Sequence, residues 1–73
     1  MIVWSKKGCT YCEYAKTLLR TKHIQYEERV IGEGWTKDQL LEAVPNARSV
    51  PQILDGDIYV GGYDDLQKYL KVL

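Results

Sequence analysis

Seventy-three residues, 45% of them hydrophobic, suffice for one compact core and little more. Ten basic and ten acidic side chains cancel, which excludes the clustered positive surface a nucleic-acid partner calls for, and no run is long or apolar enough to span a membrane. Two cysteines make no disulfide scaffold, and a bridge between Cys9 and Cys12 closes a loop of only about four residues, so neither is read as a staple and a reducing compartment is expected.

Met1-Ile2-Val3-Trp4 lacks the apolar length, basic leader and cleavage site of an export signal. Ile2-Val3-Trp4 reads as a short buried strand, ended by the turn Ser5-Lys6-Lys7-Gly8. Ala15, Leu18 and Leu19 then recur at helical spacing, with Lys16, Arg20 and Lys22 as the wet face. Thr10 and Glu13 fit a capping box and Cys9 is a second candidate for the N-cap, which places the helix start within about two residues.

Residues 25–31 form the next predicted strand, with Tyr26 and Val30 on one face, before Gly32 and Gly34 break the pattern. Thr36 and Gln39 offer a capping box ahead of Leu40, Leu41 and Val44, so a short helix runs to about Ala43 and stops before Pro45. Gln52-Ile53-Leu54 and Ile58-Tyr59-Val60 flank Asp55-Gly56-Asp57, the pattern of an antiparallel hairpin. After Gly61-Gly62, the aspartates Asp64 and Asp65 suit a first helical turn, and Leu66, Tyr69, Leu70 and Leu73 keep the spacing of a core-facing helix.

The order is βαβαββα over a single unit, residues 1–73, without repeat or linker. A right-handed crossover makes the first two strands parallel and the hairpin adds an antiparallel edge, predicting an α/β fold with one mixed four-stranded sheet flanked by three helices. The cysteines then fall at the carboxyl end of the first strand, where open α/β sheets place reactive groups.

Two thiols at i and i+3 of a helix lie about 5–6 Å apart, within the window a disulfide tolerates, so the pair can open and close with little backbone movement. A thiol reacts as thiolate, and a sulfur at a helix N-terminus faces unpaired N–H groups and the positive end of the dipole. Cys9 holds that position and is assigned as nucleophile, while Cys12, one turn further in, is the resolving thiol. Lys6 or Lys7 adds positive charge nearby. A zinc site needs about four ligands and only His23 remains as a usual partner, so no metal is assigned.

Cys9-Thr10-Tyr11-Cys12, Arg48-Ser49-Val50-Pro51-Gln52 and Gly61-Gly62-Tyr63-Asp64-Asp65 together closely resemble the three motifs of the glutaredoxin family, in order and at family-like separations over essentially the whole chain. The resemblance implies a thioredoxin-like fold and glutathione-dependent reduction of protein disulfides and glutathione mixed disulfides, with glutathione a co-substrate and no tightly bound cofactor. It implies a cis Val50-Pro51 bond beside the cysteines, with Val50's backbone free to pair with an extended peptide. It implies that Gly61 and Gly62 admit the ligand's backbone, that Asp64 and Asp65 meet the ammonium of its γ-glutamyl end, and that Lys6 or Lys7, with Arg48, meets its carboxylates. Tyr11 and Tyr63 then line the groove.

The family also suggests a cytoplasmic monomer whose partners are glutathione and disulfide-bearing proteins, with ribonucleotide reductase the family-level target. Thr10 stands where dithiol members commonly have proline, and Ser49 where threonine is common; the first change bears on the balance between thiolate and disulfide. Two alternatives stay open. One is reduction by thioredoxin reductase, decided by turnover with each reductant. The other is a module binding an iron–sulfur cluster between two subunits, which a colourless protein after anaerobic reconstitution would exclude.

Overall fold

The computed structural model describes residues 1–72. Its elements are β1 (Ile2–Lys6), α1 (Thr10–Thr21), β2 (Glu27–Ile31), α2 (Lys37–Ala43), β3 (Gln52–Asp55), β4 (Ile58–Gly61) and α3 (Tyr63–Lys71). The sheet order is β2-β1-β3-β4, with β1 parallel to β2 and antiparallel to β3. This is the expected mixed sheet, and β1, one of its two inner strands, leads into Cys9.

Side chains alternate across a strand, so Val3 and Trp4 serve opposite faces, and helices cover both. Val3 packs with Ala15, Leu19, Ile53 and Leu66 on the α1 and α3 side, and Trp4 with Leu40 and Val44 on the α2 side. Each large apolar side chain so covered contributes about 1.5–3 kcal/mol. Trp35 closes the second layer edge-on to Trp4, with ring centroids 5.3 Å apart, and the Arg29 guanidinium lies 4.3 Å from the Trp35 ring centre.

The start of α1 settles between the two candidate caps. Cys9 is the N-cap, in extended conformation, and Thr10 is already helical, so the box read for Thr10 and Glu13 does not form. Thr36 and Gln39 do form theirs: the Gln39 N–H donates to Thr36 Oγ1 (3.1 Å) and the Thr36 N–H to Gln39 Oε1 (2.8 Å). At the far end of α1, His23 adopts φ 59, and the N–H groups of His23 and Ile24 donate to the carbonyls of Arg20 (3.0 Å) and Leu19 (2.9 Å). The turn delivers Ile24 onto the core.

Lys16 corrects the wet-face reading. Its side chain is only 12% exposed, with Nζ 2.7 Å from Glu13 Oε2 and 2.8 Å from Glu28 Oε2. The buried Ser5 hydroxyl also donates to Glu28 (2.7 Å), so one polar knot ties α1 to β1 and β2. Glu28, Val30 and Tyr26 share that face, although β2 itself begins at Glu27. In the hairpin Asp55 pairs with Ile58, leaving Gly56-Asp57 as the turn, with Gly56 at φ 61. Tyr69 turns to the sheet edge, where its hydroxyl donates to Asp55 Oδ2 (2.6 Å); Leu73 lies outside the described residues.

Candidate functional site

β1 ends at Lys6, and the turn that follows carries Cys9 to the N-cap of α1. Cys9 and Cys12 are joined as a disulfide, their Cα atoms 5.2 Å apart, as the spacing on a helical turn predicts. The two sulfurs are unequal in their surroundings: Cys12 is wholly buried, whereas Cys9 is partly open to solvent. The Cys12 backbone N–H points at the Cys9 sulfur (3.2 Å), so the donor a helix leaves unpaired at its start is aimed at this Sγ.

Across from it stands the loop that enters β3. The Val50-Pro51 bond is cis, and Cys9 Sγ lies 3.7 Å from the Val50 carbonyl oxygen. Gln52 holds that loop from below: its Nε2 donates to the Ser49 carbonyl (2.9 Å), and Tyr59 Oη donates to its Oε1 (2.6 Å). Gln52 is buried, so both ends of its amide are satisfied by partners that fix the approach to Val50.

A groove of about 460 Å³ opens beside this loop, lined by Tyr11, Ser49, Val50, Pro51, Gln52, Tyr59, Gly62, Tyr63, Asp64 and Asp65. Its far wall is the start of α3, whose N-cap is Gly62 with no side-chain cap, so the first backbone N–H groups of that helix keep their donors. Asp64 and Asp65 are exposed and form no salt bridge to a described residue. They are not capping groups here; their carboxylates give the groove a negative end.

The groove therefore gathers Tyr11, Val50, Pro51, Gly62, Tyr63, Asp64 and Asp65 of the residues read from the sequence. Lys6 and Arg48 lie elsewhere, in a second hollow of about 230 Å³ whose other lining includes Lys37, Ile31, Leu40 and Leu41. Ser49 and Val50 border both hollows, so the Val50 segment is a ridge with a positive hollow on one side and an acidic groove on the other. Three groove residues were given no role in the sequence reading: Ser49 and Gln52, which stand in the Val50-Pro51 motif, and Tyr59. The signal for Gln52 was a polar residue opening a strand directly ahead of the apolar pair Ile53-Leu54. Among the described residues no cluster of three or more His, Cys, Asp or Glu is placed to hold a metal ion.

A mixed four-stranded sheet with a cysteine pair at the carboxyl end of an inner strand, facing a cis-proline loop, defines a thioredoxin-like dithiol protein. The model of the glutaredoxin family matches residues 1–60, and the chain belongs to that family. It is 34% identical over 68 residues to glutaredoxin 1 of Rickettsia prowazekii, covering 90% of this chain and 72% of that one. A hybrid peroxiredoxin of Haemophilus influenzae is 39% identical over 67 residues, and there the chain spans 27% of the relative's length while 92% of this chain is covered. In structure it resembles a buckwheat glutaredoxin–glutathione complex with a TM-score of 0.82 at 24% identity, over 97% of this chain and 67% of the other. Family membership and the Cys9–Cys12 pair support thiol–disulfide oxidoreductase chemistry.

Proposed function

We propose that this chain is a glutathione-dependent thiol–disulfide oxidoreductase, with Cys9 the attacking thiolate and Cys12 the resolving thiol. The observation that carries the reading is the Val50 ridge, 3.7 Å from Cys9 Sγ and set between hollows of opposite charge. Glutathione is an extended tripeptide with an ammonium at its γ-glutamyl end and a carboxylate at its glycine end. Laid along the ridge, it pairs its backbone with Val50, sets its ammonium against Asp64 and Asp65, and turns its glycine carboxylate toward Lys6 and Arg48. Tyr11, Pro51, Gly62 and Tyr63 line its path, and the glutathione complex of the buckwheat neighbour supports glutathione as the ligand.

The chemistry follows from which sulfur is reachable. For a protein–glutathione mixed disulfide, the Cys9 thiolate attacks the glutathione sulfur, the protein thiolate leaves and takes up a proton, and a second glutathione thiolate attacks the Cys9-bound sulfur to give glutathione disulfide and regenerate Cys9. For a protein disulfide, the Cys9 thiolate attacks one sulfur and releases the other as a thiolate that takes up a proton; the Cys12 thiolate then attacks the Cys9 sulfur of the mixed disulfide, releasing the second protein thiol and forming the Cys9–Cys12 bridge. Two glutathiones then reduce the Cys9–Cys12 bridge. The Cys12 N–H beside Cys9 Sγ stabilises the charged form of the nucleophile in each step.

Protein substrates such as ribonucleotide reductase, a monomeric state and a cytoplasmic site of action belong to the same proposal. The test is turnover of a small disulfide with glutathione, NADPH and glutathione reductase. Glutathione-coupled turnover supports the reading, whereas turnover only with thioredoxin reductase overturns its glutathione half. The similarity to a hybrid peroxiredoxin favours one further reading, in which the oxidised cysteine of a peroxiredoxin is a substrate. Peroxide-dependent consumption of glutathione by a mixture of the two proteins tests that directly.

A further inference from the structure

Tyr11 and Tyr14 stand at i and i+3 on α1, and Tyr63 opens α3 beside them. Their ring centroids are 5.7 Å (Tyr11 to Tyr14), 6.1 Å (Tyr11 to Tyr63) and 5.7 Å (Tyr14 to Tyr63) apart, so the three rings form one cluster. Tyr11 is 60% exposed and Tyr14 49%, which leaves a broad aromatic surface in water next to the cysteine loop. A contiguous aromatic patch of this kind at the rim of a reactive site marks a contact surface. Tyr14 takes no part in the glutathione path proposed above and does not line the groove.

The charge around the cluster selects the partner. Aromatic ring faces are negative, and Asp64 and Asp65, which the glutathione ammonium takes in the reading above, lie beside Tyr63 and add to the negative field, making no salt bridge among the described residues. Lys16, the nearest cation in sequence on α1, is drawn away to Glu13 and Glu28. Ring faces and carboxylates together attract a guanidinium or ammonium group and repel a carboxylate. Tyr11 lies between the two cysteines in sequence, so a side chain resting on the cluster belongs to a residue within a few positions of the substrate cysteine under attack.

We propose that Tyr11, Tyr14 and Tyr63 form a docking platform for an arginine or lysine flanking the disulfide-bonded cysteine of a protein substrate. This names the substrate class for the site described above and rests on that reading. Glutathione occupies the groove on the Val50 side, and the platform receives the peptide to which it is joined.

The probe is a set of matched peptides, each with one cysteine blocked by glutathione and flanked on both sides by arginine, leucine or glutamate. The expected result is kcat/KM for the arginine peptide about two- to five-fold above the leucine peptide, with the glutamate peptide lowest. In Tyr14→Leu the ratio of arginine to leucine peptide falls to near one, and in Tyr14→Phe it is kept. Leucine equal to or better than arginine in the wild type overturns the proposal in favour of a plain apolar patch. An arginine preference unchanged in Tyr14→Leu overturns it in favour of the carboxylates alone. Should no peptide be turned over with glutathione, the functional reading fails instead. The platform is then judged by titrating the serine analogues of the peptides against the oxidised protein: the arginine analogue should shift the NMR signals of the Tyr14 ring most, and equal or absent shifts with all three overturn it.

Discussion

Asp65 folds its side chain over Gly61, so that a Cβ built on Gly61 would come within 2.8 Å of the Asp65 Cβ and closer still to its carboxylate oxygen. Gly61 also holds φ +118, which side-chain-bearing residues rarely adopt. The pair fixes the last residue of β4 against the first turn of α3, and with it the acidic end of the groove. Gly61→Ala is therefore expected to cost about 2–3 kcal/mol and to raise the KM for glutathione by displacing Asp65. Gly62→Ala, whose Cβ meets only the Pro51 carbonyl oxygen at 3.6 Å, should stay within about 1 kcal/mol of wild type. Chemical denaturation of the two variants checks the difference.

The chain from Tyr59 through Gln52 to the Ser49 carbonyl predicts an effect on binding ahead of chemistry. Tyr59→Phe leaves Gln52 Oε1 without its donor and should cost about 1 kcal/mol of stability. Because Gln52 then holds the loop before Val50 less firmly, KM for glutathione should rise a few-fold while kcat with a small disulfide changes less. An equal fall in kcat with unchanged KM would assign Tyr59 another role.

The knot around Lys16 predicts a pH dependence. Desolvation pushes the Glu28 carboxyl upward, but hydrogen bonds from Lys16 and Ser5 outweigh it, so its pKa lies below the ordinary value of 4.5. A carboxylate held lower in the folded than in the unfolded state stabilises the protein above its unfolded pKa, and that contribution is lost as pH falls through the folded one. Hydrogen bonds to Glu13 and Glu28 raise Lys16 above 10.5, so its share persists until strongly alkaline pH. Melting temperatures measured from pH 6 down to pH 3 should fall more steeply in the wild type than in Glu28→Gln. Lys16→Met should cost about 1–2 kcal/mol near neutral pH.

His23 occupies the left-handed position that ends α1, at φ 59. A residue with a Cβ is disfavoured there by about 1–2 kcal/mol, partly offset by the greater unfolded-state freedom of glycine. His23→Gly should therefore stabilise the chain by about 0.5–1 kcal/mol, read as a higher denaturation midpoint with an unchanged slope.

Much of this arrangement is legible in the sequence because local and global signals agree. The Thr36–Gln39 box, the turn at Gly56 and the apolar spacing of Leu66 and Leu70 each depend on near neighbours, and each forms where its pattern lies. The resemblance to glutaredoxins also located the cis Val50-Pro51 bond, which local residues leave undetermined. What stayed hidden depends on residues far apart in the chain. Lys16 has the spacing of a solvated position, and only the arrival of Glu28 on the neighbouring strand draws it inward. Gln52 gains its partners when Tyr59 comes across the hairpin. The sequence assigned Lys6 and Arg48 to the ligand's carboxylates but could not say where they stand, and the fold sets them across the Val50 ridge from Asp64 and Asp65.

The proposed division of labour between Cys9, partly open beneath Val50, and Cys12, buried behind it, is unequal. Glutathione-coupled deglutathionylation of a protein mixed disulfide, measured in Cys9→Ser and in Cys12→Ser, tests it most directly. Cys9→Ser is expected to abolish turnover, whereas Cys12→Ser keeps much of it and loses the reduction of protein disulfides that needs a resolving thiol. Turnover retained in Cys9→Ser would contradict it.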